Sequence, residues 1–140
     1  MKRSVLIIDD EHAQAVGLCK ALSNELVNTS FFFASNEEEI ERNVENVYFS
    51  IALVDLRMDR FSFNGIDIIK KIFEINPFAK IVIVSAFKGE YMTHIKDLLV
   101  TGKILDVVEK IEFKKFVSNL KSIIENYHTE IFNDPSEINS

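Results

Sequence analysis

Ser4-Val-Leu-Ile-Ile-Asp-Asp10 is the stretch whose reading decides the fold. Residues 5–8 are apolar without interruption and mostly β-branched, and the run stops abruptly at two carboxylates. An unbroken run of this kind reads as a strand buried on both faces, with its carboxyl end at Asp9 and Asp10. Four further apolar runs follow at 31–34, 51–54, 81–84 and 104–108.

Helical periodicity fills the gaps between them. Ala15, Leu18, Cys19, Leu22 and Leu26 make one stripe, Ile40, Val44 and Val47 a second, and Ile66, Ile69 and Phe73 a third. Tyr91, Ile95, Leu98 and Leu99 make the fourth. The fifth is the clearest, with Phe113, Phe116, Val117, Leu120, Ile123, Ile124 and Tyr127 at i, i+3, i+4, i+7 spacing. Strands that alternate strictly with amphipathic helices predict an α/β fold, a doubly wound parallel sheet covered by helices on both sides. Five strands in this length predict the flavodoxin-like (βα)5 order 2-1-3-4-5.

With 140 residues, 47% of them hydrophobic and 27% charged, the chain can bury one sizeable core, so one domain is expected. That domain is read as residues 1–127. Beyond Tyr127 the periodicity fades, and Asn133-Asp-Pro-Ser136 breaks any helix. Residues 128–140 are therefore read as a flexible tail or the start of a linker.

The single cysteine, Cys19, excludes an internal disulfide framework and reads as a small buried hydrophobe, which fits a reducing cytoplasmic setting. Met1-Lys-Arg3 before an apolar run has the look of a signal peptide, but the run ends at Asp9 and is too short for one. No stretch approaches a membrane span. A net charge of −6 and a pI near 5.1 work against direct nucleic-acid binding, which needs a concentrated basic surface. A protein partner or a bound cation is expected instead.

In a parallel sheet of this order, ligands bind beyond the carboxyl ends of the strands, where strand order reverses. Asp9 and Asp10 follow the first strand, Asp55 ends the third, Ser85 ends the fourth and Lys110 follows the fifth. Each has an ordinary explanation when taken singly. Asp10 and Glu11 could cap the first helix, Ser85 could start a turn, and a lysine after an edge strand is usually solvated. Together they put three carboxylates in one crevice, where like charges repel by roughly a few kcal/mol unless a cation intervenes.

All-oxygen ligands suit Mg²⁺. His12, His94 and His128 lack metal-ligand spacing and read as surface or helix-face residues, with His12 near enough to flank the site. An aspartate beside a metal and a positive side chain can accept a phosphoryl group. On this reading Asp55 is the nucleophile, while Asp9 and Asp10 hold Mg²⁺. Lys110 pairs with the phosphoryl oxygens, Ser85 donates a hydrogen bond to them, and small Ala86 leaves the approach open.

Four segments then resemble, in order and spacing, the signature segments of response-regulator receiver domains of two-component systems, the CheY-like family. They are Val5-Leu-Ile-Ile-Asp-Asp-Glu11, Ile51-Ala-Leu-Val-Asp-Leu56, Ile81-Val-Ile-Val-Ser-Ala86 and Asp106-Val-Val-Glu-Lys110. The resemblance implies that Asp55 is the phospho-acceptor, Asp9 and Asp10 the acid pair, Ser85 the switch hydroxyl and Lys110 the phosphate-binding lysine. It implies further that the backbone carbonyl of Arg57 ligates the metal. The implied donor is a histidine kinase or a phosphotransfer protein, and the output a change in binding to a downstream effector or in self-association. Such a domain catalyses only its own phosphorylation and dephosphorylation.

The family pattern is broken in three places. Ile111 follows Lys110 where the family has a cis proline, and a non-proline cis bond costs about 3 kcal/mol, so a trans bond is expected. Val107 takes the place of the switch aromatic, which removes the usual serine–aromatic coupling. Gly65 comes about two residues later than usual, and Asp59 stands where a proline is common. Phe61 and Phe63 in that loop read as tucked against the third helix.

The alternative reading is a receiver-like protein-binding module that works without phosphorylation. An aspartate-nucleophile phosphohydrolase would show a second aspartate where Arg57 stands, and no Walker loop or Gly-x-Gly turn follows the first strand.

Overall fold

The computed structural model describes residues 3–56, 65–86 and 92–132. Along the chain run β1 (Ser4–Ile8), α1 (His12–Glu25), β2 (Ser30–Ala34), α2 (Glu37–Asn46), β3 (Ile51–Asp55), α3 (Gly65–Ile75), β4 (Lys80–Ser85), α4 (Met92–Leu99), β5 (Ile104–Glu109) and α5 (Phe113–Ile131). The five strands form one parallel sheet in the order β2-β1-β3-β4-β5, as the sequence predicts.

Successive strand residues point to opposite faces, so each strand feeds two cores. Leu6, Ile8, Ala52, Val54, Ile81 and Ile83 pack on one side with Ile40 and Val44 of α2, Ile68, Ile69 and Ile72 of α3, and Ile95 and Leu98 of α4. Val5, Ile7, Ile51, Leu53, Val82 and Val84 face the other side and meet Ala15, Leu18 and Leu22 of α1 and Phe116, Val117, Leu120 and Ile124 of α5. The doubly wound reading holds, and it explains the unbroken apolar runs of β1, β3 and β4.

The sheet margins depart from that reading. In β2 burial alternates along the strand, and Phe32 is exposed. An edge strand has a strand neighbour on one side only, so its outer margin is left open to water. In the middle of β5 Asp106 is exposed, next to a register shift opposite Ile81 and Val82.

Two ends are set by local chemistry. Asn36 caps α2 by accepting the Glu39 N–H at 2.8 Å, and Glu37, Glu38 and Glu39 complement the helix dipole. Gly102, after α4, takes a φ of 72°, a left-handed conformation that lets the chain turn into β5.

The C-terminal reading needs correction. Helix α5 does not fade at Tyr127 but continues to Ile131, and His128, read as a surface or helix-face residue at the start of a tail, lies on the helix and is 1% exposed. Its ring lies over the amino ends of the strands, where Ser50 offers a polar partner. Residues 133–140 lie outside the described residues.

Candidate functional site

All the sequence-predicted site residues that the structure describes lie at the carboxyl end of the sheet. Because β1 and β3 are paired in parallel, with Ile8 opposite Val54, the residues that follow them emerge side by side. Asp9, Asp10 and Asp55 are all buried, and one carboxylate oxygen from each lies within 4.8 Å of the others. Lys110 reaches this cluster from the end of β5. Its Nζ donates to Asp55 Oδ2 at 2.8 Å and to Asp9 Oδ2 at 3.4 Å.

Ser85 is buried at the end of β4, one residue beyond the Asp55–Val84 pair. Its carbonyl accepts the Lys110 N–H at 2.8 Å, which ties the lysine's backbone to the sheet. No peptide bond among the described residues is cis, so Lys110 meets Asp55 with Ile111 in the ordinary trans arrangement. Arg57, whose carbonyl was expected to ligate a metal, lies outside the described residues, as do Asp59, Phe61 and Phe63.

The simple capping role expected of Glu11 is not what the structure shows. Glu11 stands at the N-cap of α1 without a side-chain cap bond, and it is Asp9 Oδ1 that accepts the Glu11 N–H at 2.9 Å. His12 turns towards β2, with Nδ1 2.9 Å from Ser35 Oγ and its ring edge-on to Phe33. The side chain of His94 lies outside the described residues, and His128 sits at the far end of the sheet.

Electrostatics follow from burial. Desolvation pushes the Asp9 carboxyl up to about 6; the Glu11 N–H and the Lys110 charge oppose that rise, and the Asp55 charge adds to it. Burial also works to lower the Lys110 ammonium, but the hydrogen bond and charge of Asp55, with Asp9 adding to them, hold it above its ordinary value. Three buried carboxylates and one ammonium leave a negative crevice. Its all-oxygen donor set and its spread fit one small hard cation that keeps part of its water shell. Asp9, Asp10 and Asp55 are the residues that can hold it.

Two contributors escaped the sequence reading. Gln14, one turn into α1, accepts from Lys110 Nζ at 3.2 Å; its only sequence signal is the one-turn spacing from Asp10. Gly65 opens α3 directly against the end of β3, where an added Cβ would fall 2.6 Å from the Asp55 carbonyl oxygen and 2.7 Å from Leu56 Cα. The late position of this glycine is visible in the sequence, but its packing against the acceptor strand depends on tertiary structure.

Known proteins bear on this geometry at two levels. Solved structures share the fold at low identity. The response regulator receiver domain protein (CheY-like) from Methanospirillum hungatei JF-1 is 18% identical, with a TM-score of 0.70 over 93% of this chain and 99% of that one. The response regulator domain of Thermotoga maritima CheB is 20% identical, with a TM-score of 0.71 over 90% and 96%. The response regulator protein TrrA from Thermotoga maritima, solved in complex with Mg(2+)-BeF, is 20% identical, with a TM-score of 0.64 over 86% and 98%. No curated protein matches the sequence. The family model of the response regulator receiver domain matches residues 5–127, which takes in every strand and every described residue of the acidic site, and the chain therefore belongs to that family.

Proposed function

We propose that this chain is a phospho-accepting receiver: Asp55 takes a phosphoryl group from a histidine kinase or phosphotransfer protein, and the phosphorylated form changes its binding to an effector or to a second copy. The observation that carries this reading is the Lys110–Asp55 pair at 2.8 Å, set beside the three-carboxylate cluster. An Asp55 oxygen attacks phosphorus as the bond from phosphorus to the donor nitrogen or oxygen breaks, which leaves an aspartyl phosphate and a free donor. Lys110 Nζ already lies at the attacking carboxylate and can follow the charge onto the phosphoryl oxygens. Ser85, one residue beyond the Asp55–Val84 pair at the end of the neighbouring strand, would donate its hydroxyl to the phosphoryl oxygens.

Asp9, Asp10 and Asp55 would hold Mg²⁺, together with the Arg57 carbonyl expected from the sequence. Bound there, the ion neutralises charge on the transferring group. The TrrA complex with Mg(2+)-BeF supports this part of the reading by relatedness. Among the described residues no helix is long and apolar enough to cross a membrane. The cytoplasmic setting is part of this proposal and rests on the single cysteine, Cys19.

The test is intact mass after incubation with a small phosphoryl donor and Mg²⁺, with and without chelator, for the wild type and Asp55→Asn. A metal-dependent gain of one phosphoryl group (about 80 Da) that the variant lacks is expected. No gain under conditions that label a control receiver would favour the phosphorylation-independent binding module.

A further inference from the structure

Beside the acidic site a cavity of about 290 Å³ runs between α1 and the start of α5, down to the sheet. Its floor and walls are apolar, formed by Ile7, Leu53 and Val84 of the sheet with Leu18 and Phe116. At its mouth stand Asp9, Asp55 and Lys110. The α1 wall is low because Ala13 and Gly17 line it, and a Cβ built on Gly17 would meet nothing within 4 Å. Exposed Ile111 and Phe113 form the outer rim.

An apolar cleft with a few polar groups in its lining is the usual design of a small-molecule site. The charge at the mouth selects the head group. Lys110 is engaged by Asp55, Asp9 and Gln14, so an incoming anion would have to part these contacts and then lie against two carboxylates. An incoming ammonium meets a more favourable field, since the two carboxylates that line the cleft, with Asp10 beside them in the same cluster, outnumber the single lysine. We propose that this cleft binds small amphiphilic cations, each an aromatic or aliphatic body with a primary ammonium head that pairs with Asp9 and Asp55. Such an occupant would compete with a metal ion for those carboxylates and so restrain the receiver. Binding itself requires neither metal nor phosphoryl donor.

The probe is 2-phenylethylamine, titrated into the isotope-labelled full chain at neutral pH in EDTA and followed by amide and methyl NMR shifts. Two isosteres are run in parallel, 2-phenylethanol without charge and 3-phenylpropionate with the opposite charge. Saturable shifts at Ile7, Gly17, Leu18 and Val84 with a Kd of about 1 mM are expected for the amine, a ligand of about nine non-hydrogen atoms. Each isostere is expected to bind at least about tenfold more weakly. In Gly17→Leu, where the new side chain fills the cleft and leucine favours the helix, amine binding should drop at least about tenfold while shifts near Ile40 and Ile69 stay in place.

Equal binding by the alcohol would reduce the cleft to a plain apolar hole, and tighter binding by the acid would make Lys110 the head-group partner; either overturns the proposal. So does the lack of a saturable shift, or undiminished binding in a folded Gly17→Leu. The isostere comparison needs only the wild-type chain, so it decides the case even if the variant does not fold. Because the assay contains no phosphoryl donor, its outcome is separate from that of the phosphorylation test.

Discussion

His128 Nε2 lies 2.6 Å from Ser50 Oγ, at the end of the sheet opposite Asp55. Ser50 has a single hydroxyl hydrogen and gives it to the Ser4 carbonyl at 2.9 Å, so towards His128 it can only accept. The imidazole is thereby fixed as the Nε2–H tautomer. Its Nδ1 is buried and has no hydrogen-bond partner among the described residues. A proton placed there would be a buried donor without an acceptor, so the folded chain needs this ring neutral. The ring closes the lower end of α5 against β1 and β3.

From this relationship comes a pH dependence of stability. Burial, with the Arg3 charge adding to it, pushes His128 down from 6.5 to about 4. Between those values the unfolded chain binds the proton and the folded chain does not, so stability from this group is full above about 6.5 and is lost as pH falls towards 4. Lowering the pH from 7.5 to 5 should cost about 2 kcal/mol through His128 alone. His128→Gln keeps an N–H for Ser50 but cannot titrate. Urea unfolding of both proteins at the two pH values should show a smaller acid loss in the variant by about that amount. Parallel losses would mean that His128 titrates normally.

Two glycines should respond oppositely to the same substitution. In Gly65→Ala the new methyl is driven into the backbone of Asp55 and Leu56, which cannot swing aside as a side chain can. We expect a loss of about 1–3 kcal/mol, together with weaker metal binding as the end of β3 is displaced. Gly17→Ala adds its methyl to open space in the middle of α1 and should gain roughly 0.5–1 kcal/mol. Chemical denaturation of the two variants against the wild type checks the signs, and a neutral Gly65→Ala would contradict the close packing described for the site.

How far the sequence could be read depends on how local each feature is. The runs through Ile8, Val54 and Val84 were legible because β1, β3 and β4 are covered on both faces, and the acids after two of them because strand ends are marked by a sudden change in polarity. Burial at β2 was overestimated, since three successive phenylalanines look the same in an edge strand as in a central one. Taken singly Lys110 reads as a surface lysine, and only its order and spacing relative to Asp9, Asp55 and Ser85 mark it as a site residue. His128 was misplaced because its partner Ser50 is 78 residues away. No periodicity in residues 113–132 announces a hydroxyl at the foot of β3.

Metal affinity should weaken with acid. Burial holds the Asp9 carboxyl near 6, so below that pH a cation must displace a proton from it. For one such group the apparent Mg²⁺ affinity falls about fourfold between pH 7.5 and 5.5. Titration calorimetry at the two pH values measures this, and in buffers of different ionisation enthalpy it also reports the proton released at the lower pH. An unchanged affinity with no proton release would remove Asp9 from the ligand set.

Lys110→Met isolates what the lysine does for the resting site. The thioether nearly matches the volume of the lysine stem but leaves Asp9 and Asp55, both buried, without the ammonium that now spans them. At pH 7.5 the cost of that uncompensated charge should be about 1–3 kcal/mol, well above the value of an exposed ion pair. Two independent remedies should restore stability. Millimolar Mg²⁺ supplies the missing positive charge, and lowering the pH towards 5.5 protonates the Asp9 carboxyl, which loses the opposing Lys110 charge and so rises further above about 6. The variant should therefore gain more melting temperature from added Mg²⁺ than the wild type does, and with less competition from a resident cation it should bind the ion at least as tightly. Its labelling by a small phosphoryl donor should nevertheless be slower, because no positive side chain then follows charge onto the transferred group. Tighter metal binding combined with slower labelling distinguishes a lysine that acts on the phosphoryl group from one that only props the loop, since a prop removed would weaken both.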